Sequence, residues 1–154
     1  ERLGVEVLPV ESPRHAVDGA DIVVTITSSR EPVLEGAWLS QGMHVAAAGG
    51  ADPYVRELND EAVQRADLIV VDDLAQAKIE SGELMMPASR GLVLWEQMRE
   101  LWQVVSGEVA GRKSDDDVTL FKSLGMGLWD IAAARVVYDN AVASDAGRRL
   151  GASS

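Results

Sequence analysis

The sequence predicts an open α/β fold with a largely parallel sheet, and three observations carry that expectation. Short apolar runs of four to eight residues, rich in Val or Ile, recur through the first two-thirds of the chain. Each is bounded by Gly, Pro, Asp or Asn, and short helical patterns lie between them. Three of the runs are nearly continuous in hydrophobicity, which suits parallel strands buried on both faces.

Taken in order, the strand candidates are GVEVLPV (4–10), ADIVVTIT (20–27), GMHVAAAG (42–49) and ADLIVVDD (66–73). Between the first two, SPRHAVDG offers Ser12 as a helix N-cap and Pro13 at the first helical position. NDEAVQRA begins with Asn59 as a capping residue and carries acids in its first turn. From Pro87 the pattern turns helical: Leu94, Met98, Leu101 and Val105 recur at spacings of three and four, a core-facing stripe. GRKSDDD (111–117) reads as a polar loop. TLFKSLGMGLWDIAAARVVYDNAVA then reads as one long helix, in which Gly125 and Gly127 permit close approach to a neighbour. The tail GRRLGASS reads as frayed. The expected organisation is a sheet domain over 1–112, a helical segment over 113–146 and a flexible tail over 147–154.

Composition narrows the function. The 14 basic residues stand against 25 acidic ones, a net charge of −11, which opposes binding to nucleic acid or to anionic lipid. With no cysteine there is neither a disulfide nor thiolate chemistry, and His15 and His44 lack metal-ligand spacing. No apolar run approaches the roughly 20 residues of a membrane span, and the start ERLGVEVLPV lacks the pattern of a signal peptide. The expectation is a soluble, cytoplasmic protein with a small-molecule partner.

Ligands of open α/β sheets bind beyond the carboxyl ends of the strands, which directs attention to TITSSREP and to HVAAAGGADPYVREL (44–58). Thr25 and Thr27 alternate toward one face if the strand continues through them, although threonine also simply favours strands. Gly49 and Gly50 either let backbone N–H groups approach a ligand or make a tight turn. Asp52, before Pro53, is either a turn residue or an acid facing that ligand. Ser123 either caps a helix or donates to a ligand. Asp115, Asp116 and Asp117 read as a solvated loop, and Trp95, Trp102 and Trp129 as core.

In their order and spacing, ADIVVTITSSREPVLEGAWLSQGMHV, AAAGGADPYVREL, ADLIVVDD, SGEL and SDDDVTLFKSLGMGLWDIAAA resemble the ornithine cyclodeaminase/mu-crystallin family over about residues 4–140. The resemblance implies a partial Rossmann-type domain, doubly wound and mostly parallel, with C-terminal helices returning to a substrate domain. It implies NAD or NADP as cofactor, an amino-acid or cyclic-imine substrate, and a homodimer. The implied chemistry is hydride transfer at a carbon that alternates between amine and imine, by deamination or ketimine reduction. The family also contains non-catalytic proteins that bind nucleotide and small ligands, which is the alternative reading.

Residue by residue, the resemblance implies that Thr25 lies along the dinucleotide and that Ala48, Gly49 and Gly50 border the nicotinamide. Ser123 matches a serine near the carboxamide, and Leu124 a residue whose backbone touches substrate. Two departures stand out. The glycine-rich phosphate loop, G-x-G-x-x-G, and the ribose-reading residue after it are absent, so the chain reads as the C-terminal half of a member. Such a half is expected to expose sheet edge and apolar surface that another segment or subunit covers. Aligned through Glu57 and Leu58, the family's proton-handling Asp falls at Ala51, with Asp52 one residue later. A one-residue shift in extended chain reverses a side chain's direction, so Asp52 substitutes only if the turn is rebuilt. The family's basic cofactor contact falls at Val55, with Arg56 beside it.

Overall fold

In this computed structural model, which describes residues 4–148, the strands are β1 (Ile22–Thr25), β2 (His44–Ala47), β3 (Leu68–Val71), β4 (Arg99–Glu100) and β5 (Thr119–Lys122). They form one sheet in the order β1-β2-β5-β3-β4, with every pair parallel. All strands therefore end at the same edge. The helices are α1 (Pro13–Val17), α2 (Asp60–Gln64), α3 (Leu74–Glu80), α4 (Gly82–Ser89), α5 (Leu101–Val105) and α6 (Gly127–Ala143).

The register fixes which side chains share a face. Val23, Val45, Leu120 and Ile69 lie side by side across four strands and are all buried. Two residues further along the same face lies the row Thr25, Ala47, Lys122 and Val71, also buried. Ala62 and Val63 of α2, Ala77 of α3 and Leu84 of α4 complete this core. The opposite face is open at the β1 edge, where Ile22 and Val24 are 65% and 60% exposed. Alternation on β1 replaces the two-sided burial expected from its continuous hydrophobicity. Between β3 and β5, α5 leaves a groove lined by Val70, Val104 and Phe121.

Local signals set several boundaries. Ser12 accepts the His15 N–H and Pro13 opens α1, and Asn59 accepts the Ala62 N–H at the start of α2. The Asn59 Oδ1 also takes the Gly36 N–H at 2.9 Å, tying the 3-10 turn Gly36–Trp38 to α2. Residues 111–117 form the expected loop, with Asp117 accepting from the Lys113 and Ser114 N–H groups.

Four expectations need correction. Residues 5–10 form no strand, and Val5, Val7, Leu8 and Val10 are exposed; an apolar run pairs only where a neighbouring strand is present. The stripe from Leu94 to Val105 is no single helix. Gln97 and Gln103 fold back onto the Leu94 and Glu100 N–H groups, starting two separate short turns. Between them Arg99 and Glu100 extend to pair with Val70 and Val71, leaving Leu94, Trp102 and Val105 exposed. Residues 119–122 are the central strand β5 rather than the start of a helix, so the sheet unit runs to Leu124 and not to 112. The second unit begins at Gly125, whose φ of +83° favours glycine, and contains α6. Trp129 in α6 is partly exposed, contrary to the core assignment, and no residue of α6 is buried. Of the tail, residues 149–154 lie outside the described residues.

At the amino ends of the central strands, His44 Nδ1 lies 2.8 Å from Thr119 Oγ1, and Arg112 donates to that hydroxyl oxygen at 3.2 Å and to the Gly42 carbonyl at 2.7 Å. Burial, and then the Arg112 charge, hold the His44 pKa below its ordinary value. A histidine depressed in the fold gives up stability as pH falls: the unfolded chain takes its proton first, near pH ~6.5. Stability of the full-length protein is therefore expected to drop between about pH 7 and pH 5, and His44→Gln to flatten that slope; urea titrations at each pH check it. Gly36 is packed so closely that an added Cβ would lie 2.5 Å from the Glu61 carbonyl carbon and 2.6 Å from the Ala62 nitrogen. Gly36→Ala is expected to cost about 1–3 kcal/mol, read as a lower urea midpoint.

Candidate cofactor site

The carboxyl edge of the sheet carries the sequence candidates. Because Thr25, Ala47 and Lys122 are in register, β1, β2 and β5 end level. The ladder then continues one step beyond the strands: the Ala48 N–H donates to the Thr25 carbonyl at 2.7 Å and the Ser123 N–H to the Ala47 carbonyl at 2.9 Å. Thr25, Ala48, Gly49, Gly50, Ser123 and Leu124 are thereby brought to one edge.

Beneath that edge lies a buried polar cluster. The Glu57 carboxylate, fully shielded from solvent, accepts the Thr25 hydroxyl at 2.9 Å, the Gly49 N–H at 2.9 Å and the Thr27 N–H at 2.5 Å. Thr27 thus leaves the ladder, and the strand stops at Thr25; the two threonines do not share an environment. Lys122, also 0% exposed, donates to the Gly49 carbonyl at 2.5 Å and to the Gly50 carbonyl at 3.1 Å. Its third partner is Glu83 of α4, with Nζ 3.3 Å from Oε2, while Glu83 Oε1 accepts the Glu57 N–H at 2.8 Å. The ammonium thus has two hydrogen-bond acceptors, the carbonyls, and one ion-pair partner, Glu83, whose Oε2 accepts no hydrogen bond.

The glycine pair acquires an internal reason. A Cβ at Gly49 would lie 2.5 Å from Glu57 Oε1, and one at Gly50, where φ is +62°, would lie 2.7 Å from Val55 Cγ1. The N–H and carbonyl of Gly49 are both used inside the protein. Ser123 donates its hydroxyl to Asp72 Oδ2 at 3.1 Å and the Leu124 N–H donates to the same oxygen at 2.6 Å, so Asp72, at the end of β3, fixes both. Ser123 does not cap a helix; it follows the central strand. Asp52 is exposed, and its Oδ1 accepts the Tyr54 N–H at 2.8 Å, an Asx turn into Pro53–Tyr54. Arg56, beside Val55, is drawn to Asp60, with Nη2 2.5 Å from Oδ1. Burial raises the Asp60 pKa, but the hydrogen bonds and charges of Arg56 and Arg90 outweigh it and hold that carboxyl below its ordinary value.

The sequence reading passed over Glu57, Glu83, Lys122 and Asp72 as functional residues. For Lys122 the signal is a single charge in an otherwise uncharged stretch, TLFKSL; reading that stretch as helix hid the lysine, since a helix has a solvated face for it and a central strand has none. Among the described residues no group of acids and histidines is arranged to hold a metal ion, and no helix is long and apolar enough to cross a membrane.

A parallel α/β sheet whose strands end level under a glycine-bearing shelf defines a class of domain that takes its ligand at the carboxyl edge. Within that class the assignment is specific: the chain belongs to the ornithine cyclodeaminase/mu-crystallin family, whose model matches residues 1–145. The chain is 36% identical over 151 residues to the Delta(1)-pyrroline-2-carboxylate reductase of Bacillus cereus, covering 97% of this chain and 46% of that protein. The structure of the Thermococcus litoralis Delta(1)-pyrroline-2-carboxylate reductase, in complex with NADH and L-proline, matches with a TM-score of 0.88 at 33% identity, over 97% of this chain and 46% of that one. An archaeal alanine dehydrogenase dimer with bound NAD matches with a TM-score of 0.80 at 36% identity, over 94% and 45%. The chain therefore spans less than half the length of these relatives.

The cluster sets a stability expectation. Glu57→Gln retains the shape but replaces an acceptor of three hydrogen bonds with a neutral amide whose NH2 faces donors. It is expected to lower the unfolding free energy of the full-length protein by about 1.5–3 kcal/mol, measured by urea unfolding.

Proposed function

We propose that the full-length protein is an NAD(P)-dependent enzyme that transfers hydride to or from the amine- or imine-bearing carbon of an amino acid or its cyclic imine. The carrying observation is the level ending of β1, β2 and β5, with exposed Ala48 and partly exposed Gly50 and Ser123 along one edge. These residues fit the nicotinamide end of a dinucleotide. The chain carries no glycine-rich loop for the pyrophosphate, so the rest of the cofactor falls to the remainder of the protein. The relatives crystallised with NADH and with NAD support the same cofactor class.

When bound, the nicotinamide supplies or accepts the hydride. This chain's residues orient it. Ala48, Gly49 and Gly50 form the bordering backbone; Thr25 acts from behind, as a donor to Glu57. Ser123, donating its hydroxyl hydrogen bond to Asp72, presents its oxygen as an acceptor, which suits the NH2 of a carboxamide. Leu124, held by Asp72, borders the substrate. Asp52 is the exposed carboxylate of the stretch 44–58, where Glu57 is buried, and is the acid proposed to exchange a proton with a substrate nitrogen. A homodimer is the proposed assembly, as in the archaeal alanine dehydrogenase.

The test follows NADH and NADPH absorbance in the full-length protein with Δ1-pyrroline-2-carboxylate, and in reverse with proline and alanine. Turnover with one cofactor is expected; binding of cofactor without turnover would leave a non-catalytic nucleotide-binding protein. Asp52→Asn keeps an acceptor for the Tyr54 N–H and removes the acid. It is expected to lower kcat by roughly 10²-fold with cofactor affinity unchanged. An unchanged kcat would confine Asp52 to its turn.

A further inference from the structure

We infer that Lys122 is a positioning residue of the nicotinamide shelf: its buried ammonium draws the carbonyls of Gly49 and Gly50 inward, fixing the backbone on which the ring rests. This rests on the proposal that residues 48–51 border the nicotinamide.

The argument begins with cost. A lysine on the core face of a central strand, between Ala47 and Val71, displaces an apolar side chain that would complete the row. Retaining a desolvated ammonium there requires compensation, and the compensation is specific: two carbonyls by hydrogen bond and Glu83 by charge. Glu83 neutralises the charge, but its own Oε1 is given to the Glu57 N–H, so a mere ion pair does not exhaust the arrangement. The hydrogen bonds go to consecutive peptide carbonyls at the tip of the loop after β2.

Consecutive carbonyls in extended chain point to opposite sides; here both meet one nitrogen. Gly50 makes that possible with its φ of +62°, which brings its carbonyl back toward the side that Gly49 already faces. The Gly49 N–H is meanwhile secured by Glu57. Three of the four polar backbone groups of the two glycines are thus turned away from solvent, by Lys122 and Glu57 together. On the outer side the two glycines present no side chain, and both their carbonyls are engaged with Lys122, which suits the face of a nicotinamide. Lys122 touches neither cofactor nor substrate; it acts through the peptide it holds.

The test uses the full-length protein and the pair of substitutions Lys122→Met/Glu83→Gln, which removes both charges and so avoids leaving Glu83 alone in the core. Two measurements are made: amide hydrogen exchange of Gly49, Gly50 and Ala51 without cofactor, and NADH and NADPH dissociation constants by nicotinamide fluorescence. The expected result is exchange at 49–51 faster by at least tenfold, with Val45 and Leu120 protected as in the parent. The dissociation constant is expected to rise about tenfold, with KM for the cofactor rising more than kcat falls. A folded double variant with parental exchange at 49–51 and parental affinity overturns the inference. Should this variant not fold, Lys122→Leu/Glu83→Gln, which likewise leaves no donor at residue 122, is judged by the same two outcomes. If the parent binds neither NADH nor NADPH, the proposed function fails, while exchange at 49–51 still decides whether Lys122 holds the loop.

Discussion

Three charged side chains without solvent access, Glu57, Glu83 and Lys122, hold the carboxyl end of the sheet together. Burial of an isolated charge costs several kcal/mol even after relaxation, so such a cluster persists only when its hydrogen bonds are met. Here the carboxylates accept from a hydroxyl and three backbone N–H groups, the ammonium donates to two carbonyls, and the Lys122–Glu83 ion pair balances its charge. One row deeper, Val23, Val45, Leu120 and Ile69 provide ordinary apolar packing. The sheet is therefore apolar through its middle and ionic at one end. The transition falls where regular pairing must stop and loops must be held without strand partners. Polar side chains do there what a ladder does elsewhere.

Much of the fold was legible because its signals are local. Ser12 and Pro13, or Asn59 and the acids after it, announce helix starts by chemistry that acts within one turn. The strands at 22–25, 44–47 and 68–71 lie inside the apolar runs that predict them. The failures were at places where tertiary pairing overrides periodicity. Leu94, Met98, Leu101 and Val105 have helical spacing, yet Arg99 and Glu100 gain strand partners at β3 and break it. TLFK has both the composition of a strand and the continuity of a helix. Only the vacancy between β2 and β3, a property of the whole sheet, selects the strand. Residues 5–10 are the converse case: their pattern suits a strand, and no neighbour among the described residues completes it.

The site was legible in its address and not in its wiring. Thr25, the glycine pair and Ser123 come to one edge, as strand ends of a parallel sheet must. Their hydrogen bonds were invisible because the partners are distant in sequence. Glu57 meets Thr25 across 32 positions, and Lys122 meets Gly49 across 73. The glycines illustrate the difference. A sequence reading offers them as open donors toward a ligand, whereas the structure shows a Cβ excluded by Glu57 and Val55 from within.

That internal requirement is compatible with the proposed ligand role. Under the proposed function, a surface that receives the flat face of a nicotinamide, neutral in its reduced form, gains from having no side chain in the way. It gains too from having its polar backbone groups occupied elsewhere, since an unmet carbonyl under the reduced ring would lose its water without return. Glycine removes the side chain, and Glu57 and Lys122 remove the backbone polarity. The departure at Ala51 and Asp52 lies just beyond this held segment, in an exposed turn fixed by the Tyr54 N–H. Asp52 is itself held, by a parallel bridge to Ser81 and by its acceptance of the Tyr54 N–H, so in the proposed enzyme the turn is fixed beside the shelf.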